Sequence, residues 1–348
     1  MLMIAVGSWN IRGLNSQRKQ MAVHQWVRKN KLDLFGILEP KVLASNLETI
    51  TRNMDNQDWE YRSNIQAINP CRILVGWNPN KLLVDNVRSE EQWLTCEITN
   101  KITKDQFSVT FIYGYNSPTQ RRNLWQYLRN ISPGKANVPW LVMGDFNAPL
   151  RPEDRYGGDR RWLGHHEEFR SSINHAGLLQ PSYTGVRLTW HNGQQGESII
   201  LRKLDWVFVN PHLLDKWQHA HAHFATRDHS DHSAMTFTLA GADRKRGGHF
   251  KFLNLWADRD NFMDIIRDNW DRHIQGSPMM RLSANLYQVK EILKKWHSRN
   301  TSQISKRVEG AQRNWDEAQI LLDRNPSSMD KRDDERRCAA ISSAEPIC

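Results

Sequence analysis

Up to about residue 240, short apolar runs alternate with amphipathic stretches. Runs rich in β-branched and aromatic residues predict strands at Ile4–Trp9, Asp33–Leu38, Arg72–Trp77, Leu82–Val87, Trp93–Ile98, Phe107–Tyr113, Trp140–Gly144, Leu204–Val209 and Ala234–Leu239. Apolar residues at helical spacing predict helices at Gln17–Lys29, with Ser16 as its cap, at Thr119–Asn130 after Ser117-Pro118, and at His165–His175 ending at Gly177. Strands dominate, several are adjacent, and helices intervene at intervals. This pattern predicts an α/β fold of two mixed sheets packed together with helices outside, rather than a doubly wound parallel sheet.

After Leu239 the pattern changes. GADRKRGGHFK is a Gly-rich basic connector and reads as a boundary. NFMDIIRDNW, LYQVKEILKKWHSRN and AQRNWDEAQILL have helical spacing without strand signals, and Trp256, Trp270, Trp296 and Trp315 suit packing or docking better than chemistry. SSMDKRDDERRCAAISSAEPIC is polar and charged and is expected to be disordered. The expected organisation is a globular domain over 1–240, a helical extension over 241–325 and a disordered tail over 326–348.

At 348 residues, with 39% hydrophobic and 25% charged residues, the chain can build a sizeable core. It has no apolar run of about 18 residues, so no membrane span is expected. MLMIAVGSWNIRG lacks the charged leading region and cleavage site of a signal peptide and reads as a first strand. The four cysteines show no metal or disulfide spacing, which favours an intracellular compartment. The net charge is +10, of which residues 1–240 carry +6 and the remainder +4. A basic excess spread in this way favours a polyanionic partner such as nucleic acid over ordinary solubility charge.

Polar residues recur where the predicted strands end: Asn10, Glu39, Tyr113 with Asn116, Asp145 with Asn147 in LVMGDFNAPL, Asp205 in KLDW, and Asp231-His232. Taken singly, each has an ordinary explanation as a turn residue, a strand-end charge or a core tyrosine. Asp205 resists it, since an acid within KLDWVFV would be half-buried and in need of a partner. Together they make a chemical set. Carboxylates without cysteines favour a hard, oxygen-liganded ion such as Mg²⁺ or Mn²⁺, which polarises a phosphoryl oxygen. Asp and His can take a water proton, while Asn amides and a Tyr hydroxyl hold the oxygens. No Ser or Cys nucleophile with a neighbouring base and no GxxxxGK[ST] loop is present, which argues against covalent acyl transfer and P-loop chemistry.

WNIRGL, LEPK, YGYN, GDFN, LTWHN, KLDW and SDHS come one after another in the order found in the endonuclease/exonuclease/phosphatase superfamily. Over about residues 3–240 the sequence most resembles the apurinic-type endonuclease domain of plant LINE (non-LTR) retrotransposon polyproteins. HFKFLNLWADRDNFMDIIRDNW is similar to the segment on the C-terminal side of that domain in these elements. No polymerase-type Asp-Asp motif appears before Cys348, so the chain resembles a truncated element or a gene derived from one.

The resemblance implies a DNase I-like four-layer α/β sandwich, two mixed β-sheets flanked by helices, with the mostly helical extension after it. It implies a metal-dependent endonuclease that nicks DNA to 3′-OH and 5′-phosphate ends, using Mg²⁺ (or Mn²⁺) and no organic cofactor; a monomer is favoured, and residence in the nucleus follows from the inferred role alone. Glu39 would be the principal metal ligand, with Asn10 beside it and Asp231 completing the metal-side carboxylates. Asp145 would orient or deprotonate the water, Asn147 would hold the scissile phosphate, and Tyr113 and Asn116 would contact phosphate oxygens. His232, oriented by Asp205, would bond the phosphate or act as base, and Thr189 would touch the DNA backbone.

The sequence departs from the family at Arg12, where many repair members carry an acid, at Pro40 after Glu39, and at Ala234 after SDHS. RDHSDHS also offers a competing Asp228-His229, but SAMTFTL after Asp231-His232 begins the expected strand. The arginine-rich loop 151–166 is the candidate DNA contact. The alternatives are a phosphatase of the same superfamily and a retroelement remnant that binds nucleic acid with little or no cutting.

Overall fold

The computed structural model describes residues 3–54, 59–159, 161–194, 196–239, 262–270, 302–326 and 328–344, with isolated positions between 257 and 296. Its strands are β1 (Ile4–Asn10), β2 (Leu34–Val42), β3 (Glu60–Ser63), β4 (Cys71–Trp77), β5 (Leu82–Ser89), β6 (Trp93–Asn100), β7 (Gln106–Tyr113), β8 (Trp140–Asp145), β9 (Arg155–Tyr156), β10 (Tyr183–Gly185), β11 (Trp190–His191), β12 (Leu201–Arg202), β13 (Asp205–Val209), β14 (His221–Phe224) and β15 (Met235–Leu239). The helices are α1 (Gln17–Lys29), α2 (Leu47–Asn53), α3 (Pro118–Ile131), α4 (Gly164–His175), α5 (Pro211–Lys216), α6 (Phe262–Trp270), α7 (Ser302–Arg324) and α8 (Met329–Ala344).

One sheet runs β10-β14-β15-β1-β2-β4-β3, a second runs β13-β8-β7-β6-β5, and a small third runs β11-β12-β9. The two large sheets are mixed, with β1 parallel to β2 and β7 parallel to β8. They pack face to face through Val6, Leu34, Ile73 and Phe237 on one side and Val109, Phe111, Leu141 and Val207 on the other. Strands buried on both faces read as continuous apolar runs, which is why β1 and β8 stand out in the sequence.

α1 covers the outer face of the first sheet with Val23, Trp26 and Val27 against Phe35 and Ile37. α3 and α4 cover the second with Leu124, Trp125 and Phe169 against Val142 and Phe208. The result is the α/β sandwich of two mixed sheets flanked by helices that the sequence implied. The sheets approach so closely at Gly36 that an added Cβ would stand 2.3 Å from the Phe111 ring.

Some expectations shift. Ser16 sits at the start of α1, but its side chain makes no capping bond; its carbonyl accepts the N–H groups of Lys19 and Gln20 instead. Short segments with weak alternation (β3, β9 to β12, β14, α2 and α5) escape the pattern because tertiary pairing, not local periodicity, makes them strands and helices. Within 326–348, expected to be disordered, residues 329–344 form α8. Its charges are arranged at helical spacing, with Arg336–Asp333 and Arg337–Asp334 paired three apart, and Glu335 accepts from the Trp315 indole. Polar composition alone does not forbid a helix.

The chain forms two compact units, Met1–Asp243 with Gln319–Pro326, and Arg244–Ala318 with Ser327–Cys348. The connector at 241–251 and most of 286–300 lie outside the described residues. No described helix is long and apolar enough to cross a membrane.

Candidate active site

The strand directions bring the polar strand ends together. β1 and β2 run parallel with Asn10 beside Leu38, so Asn10 and the adjoining Glu39 leave the sheet at the same edge. In the other sheet Tyr113 pairs with Asp145 and Asp205 pairs with Asp145, which sets three polar groups in one row across β7, β8 and β13. The two edges face each other across a cleft of about 310 Å³ lined by Asn10, Glu39, Tyr113, Asn116, Asp145, Asn147 and His232, with Arg12, Trp190 and Leu204. Seven of the ten residues expected at the site line it; Asp205, Asp231 and Thr189 stand behind. His232, not His229, is the histidine of the cleft.

Asp145 is fully buried at the centre. Its Oδ2 accepts from the Asn10 amide at 2.9 Å and its Oδ1 from the Asn147 backbone N–H at 2.8 Å. His232 Nδ1 lies 3.0 Å from Asp205 Oδ2, and His232 Nε2 lies 3.8 Å from Asp145 Oδ2. Burial holds the Asp145 carboxyl well above the usual carboxylate range; the Asp205 charge pushes it further up and the His232 charge opposes both. Burial alone would lower the His232 pKa, but the Asp205 and Asp145 charges outweigh it and raise it to about 9. The site thus offers a carboxyl able to exchange a proton near neutral pH beside an imidazolium.

The turn that presents these groups is strained. Asn147 has φ 49° and Gly144 has φ 149°. At Gly144 an added Cβ would lie 2.1 Å from the Ile112 carbonyl oxygen of the neighbouring strand, so glycine alone fits. The Asn147 side chain donates to the Gly114 carbonyl at 2.7 Å, tying the GDFN turn to the YGYN segment.

Glu39 lies within β2 rather than closing it. The β2–β4 register breaks between Leu38 and Val42, and in this bulge Glu39 and Lys41 take φ values of 51° and 53°. The bulge turns Glu39 into the cleft, where Lys41 Nζ is 2.7 Å from its carboxylate. Burial and then the Glu39 charge keep the Tyr113 phenol protonated far above its ordinary range, so Tyr113 is a donor.

Oxygen donors from Glu39 and Asn10 on one cleft suit a hard divalent cation. Among the described residues, Asp145, Asp205 and His232 have ligand atoms within 4.8 Å of one another. There the imidazole is already engaged with Asp205 and held charged, which makes it the poorer cation site.

One assignment changes. Thr189, expected at the DNA backbone, is fully buried, and its hydroxyl accepts the N–H groups of Leu204 and Asp205 at 3.1 and 3.0 Å. It fixes the start of β13 instead. Asp231, expected among the metal-side carboxylates, does not line the cleft; its carboxylate accepts from Arg12 Nη1 at 2.5 Å and from the Trp190 indole at 2.9 Å.

Four residues of the site were not among those expected there. Arg12, Trp190 and Leu204 line the cleft, and buried Arg121 donates to the Tyr115 and Asn116 carbonyls at 2.7 and 2.9 Å, holding the YGYN loop. An arginine in the first turn of a helix gives no sequence signal of such a role. In the 151–166 loop Arg161 pairs with Asp159 and Arg155 lies over the Trp162 ring, and none of its described residues lines the cleft.

The profile of the Endonuclease/Exonuclease/phosphatase family matches residues 7–232. No protein of curated function matches the chain in sequence. Among solved structures, the endonuclease domain of TRAS1, a telomere-specific non-LTR retrotransposon, superposes with a TM-score of 0.51 at 12% identity, covering 68% of this chain and 98% of that one. An AP endonuclease (LMAP) from Leishmania major gives 0.52 at 13% identity over 69% and 88% of the two chains. An endonuclease/exonuclease/phosphatase protein from Bacteroides vulgatus gives 0.51 at 15% over 68% and 98%. At these identities the likeness is one of fold.

Proposed function

Because the chain belongs to the Endonuclease/Exonuclease/phosphatase family, we propose that it is a metal-dependent endonuclease that hydrolyses DNA phosphodiester bonds, of the kind that nicks retrotransposon target sites in plant LINE elements. The observation that carries this reading is the convergence of Asp145, Asn147, His232, Tyr113 and Glu39 on one cleft of a protein with net charge +10. The charge favours a polyanion over a small phosphate monoester.

Glu39 with Asn10 would hold Mg²⁺ or Mn²⁺, which supplies Lewis-acid polarisation of the phosphoryl group when bound. Asp145, with its raised pKa, takes the proton of a water positioned in line with the P–O3′ bond. The water oxygen bonds to phosphorus as that bond breaks, leaving a 5′-phosphate and an O3′ that takes a proton from solvent. The His232 imidazolium, the Asn147 amide and the Tyr113 hydroxyl donate to the non-bridging oxygens, where charge grows in the transition state. Asn116 contacts the phosphate at the cleft rim. Asp205 holds His232 in orientation and keeps it charged.

Nicking of supercoiled plasmid with and without Mg²⁺ tests the proposal. Activity is expected with the metal and absent in chelator. A well-folded chain that releases phosphate from monoesters and leaves plasmid intact would favour the phosphatase reading.

A further inference from the structure

The last turn of α7 lies in the same compact unit as the sheets. It grips both segments that carry the His232 side of the cleft. Asp323 accepts the backbone N–H groups of Arg187 at 2.8 Å and Leu188 at 2.6 Å, one on each carboxylate oxygen. Gln319, 2% exposed, pairs both ways with the backbone of Arg227: its oxygen accepts the N–H and its amide donates to the carbonyl, each at 3.1 Å. Arg227 Nη1 donates to the Leu188 carbonyl at 2.8 Å, closing the loop between the two gripped segments. Ile320 packs against the core between the sheets.

From these anchors to the site is a short step. Thr189 comes directly after Leu188, and its hydroxyl holds the N–H groups of Leu204 and Asp205 while its carbonyl accepts from Ser233 at 2.8 Å. Trp190 forms a bridge with His232, and His191 N–H donates to the Asp231 carbonyl at 3.2 Å. The strands that should fix this register are β11 and β12, of two residues each. Ladders so short specify register weakly. Two backbone N–H groups held by one carboxylate, and a backbone pair held by one amide, are directional and set it from outside.

We propose that Gln319 and Asp323 are positioning residues of the site: the end of α7 fixes segments 187–191 and 227–233 so that His232 stays on Asp205 and faces the cleft. Buried Lys203 supports the pairing. Its ammonium sits among the rings of Tyr183, Trp206 and Phe224, at 4.0 Å from the last, two residues before Asp205, and Asp323 is among the charges that favour it. The end of α7 is, on this reading, part of the framework that positions the site.

The inference rests on the cleft being the hydrolytic site, so its test carries a readout independent of activity. In the full chain, Asp323→Asn keeps the shape but turns an amide NH₂ toward one of the two N–H donors, and Gln319→Ala removes the Arg227 pair. Leu82→Ala, in β5, serves as a destabilised control. Nicking kcat and KM are measured well below the unfolding temperature, together with the His232 Nδ1–H resonance in ¹⁵N-histidine-labelled protein.

Both positioning variants are expected to lose about tenfold or more in kcat with KM within about twofold, and to show a shifted or exchange-broadened His232 resonance. Leu82→Ala should change neither. Unaltered kcat and an unaltered His232 resonance in Asp323→Asn and Gln319→Ala would overturn the proposal. If the wild-type chain cuts no DNA, the functional reading fails while the resonance alone still decides whether the clamp exists.

Discussion

Asp205→Asn isolates a single charge. The amide oxygen can still accept from His232 Nδ1, so the orientation of the ring survives and the charge alone is lost. With Asp205 in place the imidazole pKa is raised to about 9 against the opposing effect of burial. With that charge removed, burial still lowers the value and the Asp145 charge still raises it; if these two offset, it returns to about 6.5, a drop of roughly 2.5 units or about 3.4 kcal/mol. At pH 8 the charged fraction then falls from about nine-tenths to about 3%, a loss of about 30-fold. At pH 6 it falls only to about three-quarters, a loss below about twofold. Plasmid nicking should take the same course, with a large deficit at pH 8 that closes as the pH is lowered. Initial rates of wild type and variant across pH 5.5–9.5 under saturating Mg²⁺ give the ratio directly. A ratio that stays constant across that range, or a variant as active as wild type at pH 8, would refute the role of His232 as a cation held by Asp205.

Glu39→Ala should reduce nicking by about a hundredfold or more and weaken Mn²⁺ binding in calorimetry while leaving the circular dichroism spectrum intact; unchanged metal affinity would remove Glu39 from the ligand set. Gly144→Ala should cost about 3–5 kcal/mol in urea unfolding, because its Cβ meets the Ile112 carbonyl at 2.1 Å and its φ of 149° is strained for alanine. An unshifted midpoint would contradict that packing. His232 carries a raised pKa in the folded state, so the stability it contributes is fully present below about pH 6.5 and is lost as the pH rises through about 9. Chemical denaturation of the metal-free protein should show this decline, and Asp205→Asn should flatten it. DNA affinity should fall steeply between 50 and 200 mM salt, on the order of 10³-fold if six phosphates are contacted; a flat response would argue against a nucleic-acid substrate.

The buried strands were legible because a strand covered on both faces is written as a run of apolar residues, and β1, β7, β8 and β13 begin or end within about a residue of expectation. The same runs end on Asn10, Tyr113 and Asp145, so local sequence alone placed these polar groups at strand mouths. Thr189 was recognised by motif, but its direction was not: whether a hydroxyl meets DNA or the N–H groups of Leu204 and Asp205 depends on a partner segment 15 residues away. Arg12 pairs with Asp231 across 219 positions, and no periodicity records so remote a neighbour.

The sequence by itself therefore determined which residue types reach the edges of the two sheets and what chemistry that set can perform. Tertiary structure decided which charges are already matched, which hydroxyl faces inward, and how the end of α7 returns to hold the Arg187–Leu188 backbone. Burial and pairing are properties of segments distant in sequence, and they exist only once the chain has closed upon itself.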